Sequence, residues 1–199
     1  MKKQLTLLTA LFVIVLGCSI ARPAHSQEKK KPDDPPAPTS AQMAQAMKGL
    51  RDRLLTSSPK EIGLSKEDAE AKVWGVLMEV AFTEGVGTIV SVRDGTASLY
   101  TSTGGGILGG YSAQKEAKQF VVEAEKHLAN MKLTKTFPYP VIGQVKFYVL
   151  TQEGVYTSEV DEKELVNGGH ALSSLFLAGN KVMTGLRMAS ERAKKTGEP

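Results

Sequence analysis

Residues 73–101 read VWGVLMEVAFTEGVGTIVSVRDGTASLYT, and the way this stretch divides decides the fold. β-Branched and aromatic residues dominate it, and Thr83-Glu84-Gly85 and Arg93-Asp94-Gly95 interrupt it. Such a composition suits a pleated, half-buried surface better than a helix. Asp94-Gly95 between β-rich runs is a strong hairpin signal, because both central positions of a type I′ turn need positive φ. Val73–Phe82, Val86–Val92 and Thr96–Thr101 are therefore expected to form a three-strand antiparallel meander.

Working outward, the next long pattern is helical. Ala113, Ala117, Phe120, Val121, Ala124, Leu128 and Met131 fall on one stripe, with Ser112 placed to cap it. Val145–Leu150 and Val155–Val160 read as a second hairpin across Gln152-Glu153-Gly154. Asp161 and Glu164 match a capping box for a last helical region, which Gly168-Gly169 is expected to break. Upstream, Met43, Met47, Leu50 and Leu54 recur at helical intervals after Ser40, and Ser65 offers a cap for a short turn. The expected fold is α+β: a five-stranded, largely antiparallel sheet with an additional N-terminal helix. Over residues 73–190 this element order resembles small domains of the roadblock and profilin kind, which implies helices covering one or both sheet faces. Three antiparallel strands followed by a helix also resemble a ribonuclease H-like start, whose acidic metal-binding set these strands lack.

The meander runs into TSTGGGILGGYS at 101–112. Gly104, Gly106 and Gly109 satisfy the spacing G-x-G-x-x-G ahead of a helix, where bare amides favour an anion. A run this rich in glycine matches that spacing by default. No acidic residue ends a following strand about 20 positions later, where a ribose would need it, and Tyr111 stands where a phosphate-binding loop has its lysine. No nucleotide cofactor is expected. Two roles remain for the run. One is a tight corner that exploits glycine's backbone freedom, with Ile107 and Leu108 tucked inward. The other is a mobile contact surface made of Gly104, Gly105, Gly106, Gly109, Gly110 and Tyr111.

Catalytic sets are scarce. His127 lies one helical turn after Glu123, a spacing that more often marks a surface contact than half a metal site. No zinc-ligand spacing occurs, so no metal is expected. Ser102 and Ser112 are the candidate serine nucleophiles, with His170 as a base. Acidic groups fall in helix first turns or on exposed faces.

The N-terminus, MKKQLTLLTALFVIVLGCSIARPAHSQ, has a basic start, the uncharged run Leu5–Leu16 and small residues before Gln27. This is the pattern of a bacterial export signal ending at Ser26. Val15-Leu16-Gly17-Cys18 gives a competing reading, a lipoprotein signal of residues 1–17 with Cys18 as the lipidated N-terminus. Cys18 is the single cysteine, so no intramolecular disulfide is available. Cleavage after Ser26 removes Lys2, Lys3 and Arg22 and takes the formal charge from +4 to +1. Without a cluster of arginines and aromatics, no nucleic-acid partner is expected. Residues 27–40, QEKKKPDDPPAPTS, read as a Pro- and charge-rich linker, 41–195 as one domain and 196–199 as a tail.

These features point to an exported α+β domain, periplasmic, secreted or anchored through Cys18. It is expected to bind a protein or cell-envelope component rather than to catalyse. The alternative is a secreted or periplasmic serine hydrolase.

Overall fold

The computed structural model describes residues 37–196; the expected leader with Cys18, residues 27–36 of the linker and residues 197–199 lie outside it. From Ser40 onward the chain forms one compact unit. It opens with helix α1 (Ser40–Thr56) and the short α2 (Lys66–Glu70). Strands β1 (Val73–Phe82), β2 (Gly85–Val92), β3 (Ala97–Thr101) and β4 (Gly106–Gly110) follow. Then come α3 (Gln114–Lys126), a 3₁₀ turn (Leu128–Asn130) and β5 (Lys132–Thr134). β6 (Gln144–Thr151), β7 (Val155–Asp161), α4 (Glu162–Val166) and α5 (Ser173–Thr196) complete the order.

The sheet has seven strands, in the order β4-β3-β2-β1-β6-β7-β5, with every pairing antiparallel. The expectation of five is therefore wrong by two, one at each edge. Gly106–Gly110 pairs with β3, with Leu99 opposite Ile107 and Tyr100 opposite Gly106. Lys132–Thr134 pairs with β7. Neither segment shows the period-two apolar signal of a strand, one because it is mostly glycine and the other because it is three residues long. Partner strands supply the order that their own side chains do not specify.

Both expected hairpins form, but the β2–β3 turn is not the type I′ turn expected for Asp94-Gly95: Arg93 and Asp94 are its central residues and Gly95 follows them in a three-residue loop. Gly95 has φ +97° and its N–H closes the turn on the Val92 carbonyl at 2.9 Å; Gly154 has φ +133°. Ser65 and Asp161 cap α2 and α4, accepting from Asp68 N and Lys163 N. Ser112 does not cap α3. Ala113 occupies that position, without a side-chain cap bond, and is itself buried.

Both sheet faces are covered, which is why β1 is buried almost throughout. Alternation sends Val76, Met78 and Val80 one way and Leu77 and Glu79 the other. On the first face α3 and α5 bury Phe120, Val121, Phe176, Val182 and Met183. Gly179 lets α5 descend onto the sheet: a Cβ there would lie 2.8 Å from the sulfur of Met78 and 3.1 Å from Phe120. On the second face Met47 and Leu55 of α1 join Trp74, Leu77, Val90, Tyr100 and Tyr148 in one cluster.

Candidate binding groove and the buried ion pair beside it

α1 crosses the second face incompletely. Its first turns touch the tip of the β3–β4 hairpin, where a Cβ on Gly104 (φ +92°) would lie 2.7 Å from Met43 Cβ and 2.9 Å from Ala44 N. Farther along, a groove of about 470 Å³ opens between the helix, the 57–65 loop and β2–β4. Val90, Val92 and Tyr100 form its floor; Leu50, Leu54, Ile62, Leu64 and Leu108 form its walls. A concave, largely apolar site of this size is the usual form of a ligand pocket. Leu50 and Leu108 are 43% and 48% exposed at its lip. Leu108 therefore does not tuck inward as the corner reading expects.

Three charged residues border this space: Arg53, Glu61 and Asp94. Glu61 Oε2 accepts from Ser58 N at 2.6 Å and from Ser58 Oγ at 2.8 Å, and these bonds hold its carboxyl below the usual range. Asp94 accepts from Thr96 N at 2.8 Å, Thr96 Oγ1 at 2.9 Å and Tyr111 OH at 3.2 Å. Tyr111 is 60% exposed, so the ring extends over the surface while its hydroxyl is tied down.

Beneath α1 lies a group that the sequence reading did not single out. Arg51 and Glu79 are 2% and 0% exposed and form a bidentate pair, Nε to Oε1 at 2.5 Å and an η-nitrogen to Oε2 at 2.9 Å. Thr88 Oγ1 donates to Glu79 Oε1 at 3.2 Å. The guanidinium also stacks 4.1 Å from the centre of the Tyr139 ring. Burial pushes the Glu79 carboxyl up, against the opposing pull of Arg51. Arg51 stays protonated despite its own burial because Glu79 hydrogen-bonds and attracts it. The pair locks α1 in register on the sheet. A signal was available: Glu79 is the only charge in the ten-residue run VWGVLMEVAF, where an acid on a doubly covered strand requires a cation.

The expected site residues fall in two places. Gly104, Gly105, Gly106, Gly109, Gly110 and Tyr111 belong to the β3–β4 hairpin and the chain just after it, beside the groove. Ser102 Oγ accepts from Val86 N at 2.9 Å, which ties the hairpin base to β2. His170 Nδ1 accepts from Leu172 N at 3.1 Å, near the start of α5.

On the opposite face His127 meets both Ser174 Oγ (2.9 Å) and Glu123 Oε1 (3.3 Å) through the same ring nitrogen, Nε2. A base arranged for nucleophilic catalysis holds the nucleophile and the carboxylate on different nitrogens. The hydrogen bond from Lys126, then those from Ser174 and His127, hold the Glu123 carboxyl down at about 2. A depressed carboxyl stabilises above its unfolded pKa and loses that contribution as pH falls towards about 2. An NMR titration of the Glu123 side chain is expected to show this low midpoint, and Lys126→Met is expected to move it back up.

Among the described residues no cluster of three or more His, Cys, Asp or Glu could hold a metal, and no helix is long and apolar enough to cross a membrane. No protein-family model, curated protein or solved structure matches the chain at a significant level.

Proposed function

We propose that this chain is an exported, non-catalytic binding domain that holds a protein or cell-envelope component at the groove between α1 and β2–β4. One observation carries the reading: an apolar groove of about 470 Å³ stands open, with two half-exposed leucines at its lip. Solvent-exposed apolar concavities of this kind mark contact sites more often than they mark packing faults. The glycine hairpin forms one border, so the glycines and Tyr111 act here through the shape they give the rim. Export is supported by the basic and apolar pattern of residues 1–26. No observation favours the hydrolase alternative: Ser102 and His170 each have a structural hydrogen bond that accounts for them.

The test is site-specific photo-cross-linking in intact cells. A photoreactive residue at Leu108 is expected to trap an adduct in the envelope fraction. The same residue at Met188, 55% exposed on α5 across the sheet, serves as the control. Equal trapping at both positions, or none at Leu108, would remove the groove as the contact site.

A further inference from the structure

We propose that the groove takes a single-chain anionic amphiphile, a free fatty carboxylate, with its tail on the Val90–Val92–Tyr100 floor and its head group on Arg53. This rests on the binding-domain reading and adds to it a ligand class. The tail assignment follows from the lining, where aliphatic side chains face one another and Tyr100 is only 4% exposed. An alkyl chain gains from removing that apolar surface from water.

The head-group assignment follows from charge. Of the three charged side chains at the groove, both carboxylates are occupied by donors of this chain, Glu61 by Ser58 and Asp94 by Thr96 and Tyr111. Arg53 is exposed, and among the described residues its guanidinium has no hydrogen bond or ion-pair partner. It acts on Glu61 only as the weakest of the influences on that group. The rim thus offers a planar cationic fork that fits a carboxylate, next to acids that are already satisfied. A neutral alkyl chain would leave that fork unused.

Calorimetric titration of the purified protein with laurate, dodecanol and acetate tests this, at concentrations below micelle formation. Laurate is expected to bind one per chain and acetate not at all. Arg53→Gln is expected to weaken laurate about tenfold while leaving dodecanol unchanged. Arg53→Lys keeps the charge but not the planar fork, and its affinity for laurate is expected to fall between those of Arg53→Gln and the wild type. Because Arg53 is exposed, these variants are expected to fold, and their unfolding midpoints check it.

Equal laurate affinity in the wild type and Arg53→Gln would overturn the proposal. So would binding of an alternating Val-Thr peptide without laurate, or attachment only to phosphatidylglycerol vesicles. Loss of laurate binding with persistent Leu108 adducts would sink the ligand class and leave the binding domain standing. Arg53-dependent laurate binding without such adducts would uphold the ligand class and remove the envelope partner.

Discussion

Arg51→Met is expected to destabilise the fold by about 3–5 kcal/mol, because it leaves the Glu79 carboxylate buried without its counter-ion. Against a total stability of roughly 5–15 kcal/mol, that is a large fraction. Glu79 is fully buried, and Thr88 alone remains to hydrogen-bond it. Chemical denaturation of the wild type and the variant measures the difference directly. A pH dependence follows with a defined sign. Burial raises the Glu79 carboxyl, and removing Arg51 takes away the main opposing influence. A carboxyl whose folded pKa is raised favours the folded state below its unfolded pKa and loses that benefit as pH rises. The variant is thus expected to be closest to the wild type near pH 4 and farthest from it near neutrality. The double variant Arg51→Met/Glu79→Leu should recover most of the loss, since an apolar pair of similar size often replaces a buried ion pair without cost. If Arg51→Met alone is neutral at pH 7, the pair does not hold α1.

Gly106→Val is the second large effect. Gly106 has φ +148°, and a Cβ there would lie 2.2 Å from the Leu99 carbonyl oxygen and 2.6 Å from Tyr100 Cα. Both obstacles are backbone atoms of the paired strand, which cannot rotate aside. A loss of about 3 kcal/mol is expected, combining backbone strain with overpacking, and β4 should detach from β3. Gly105→Ala provides the contrast. Its φ is +113°, but nothing lies within 4 Å of the added carbon, so strain alone operates. About 1 kcal/mol is expected there. Thermal unfolding measures both. Hydrogen exchange at residues 97–101 of β3 would show whether the edge strand is lost, since the amides that face β4 would become unprotected. Comparable losses from the two variants would mean that close approach is not what position 106 requires. Detaching β4 also displaces Leu108, so Gly106→Val is expected to weaken laurate binding more than Gly105→Ala does.

The contrast between these two glycines bears on the original puzzle of the run. Its G-x-G-x-x-G spacing arises within a hairpin: Gly104 meets α1, Gly106 meets β3, and Gly105 turns between them. Each is small for its own reason. A spacing rule cannot separate those reasons, because it counts glycines without knowing what each one touches.

Local chemistry was enough for much of the architecture. Gly95 and Gly154 set hairpins whatever surrounds them, since ready access to positive φ is a property of glycine itself. The α3 stripe and the Ser65 and Asp161 caps depend on neighbours within one helical turn. The edge strands, the Arg51–Glu79 pair and the groove could not be read in the same way. β4 and β5 exist because β3 and β7 offer them hydrogen bonds. Arg51 and Glu79 lie 28 residues apart and come together only when α1 lies across β1. The groove is a space left between elements, bounded by residues from positions 50 to 108, and no short window of sequence describes it. Period and turn chemistry act over a few residues, whereas burial, pairing and cavities depend on which distant surfaces meet.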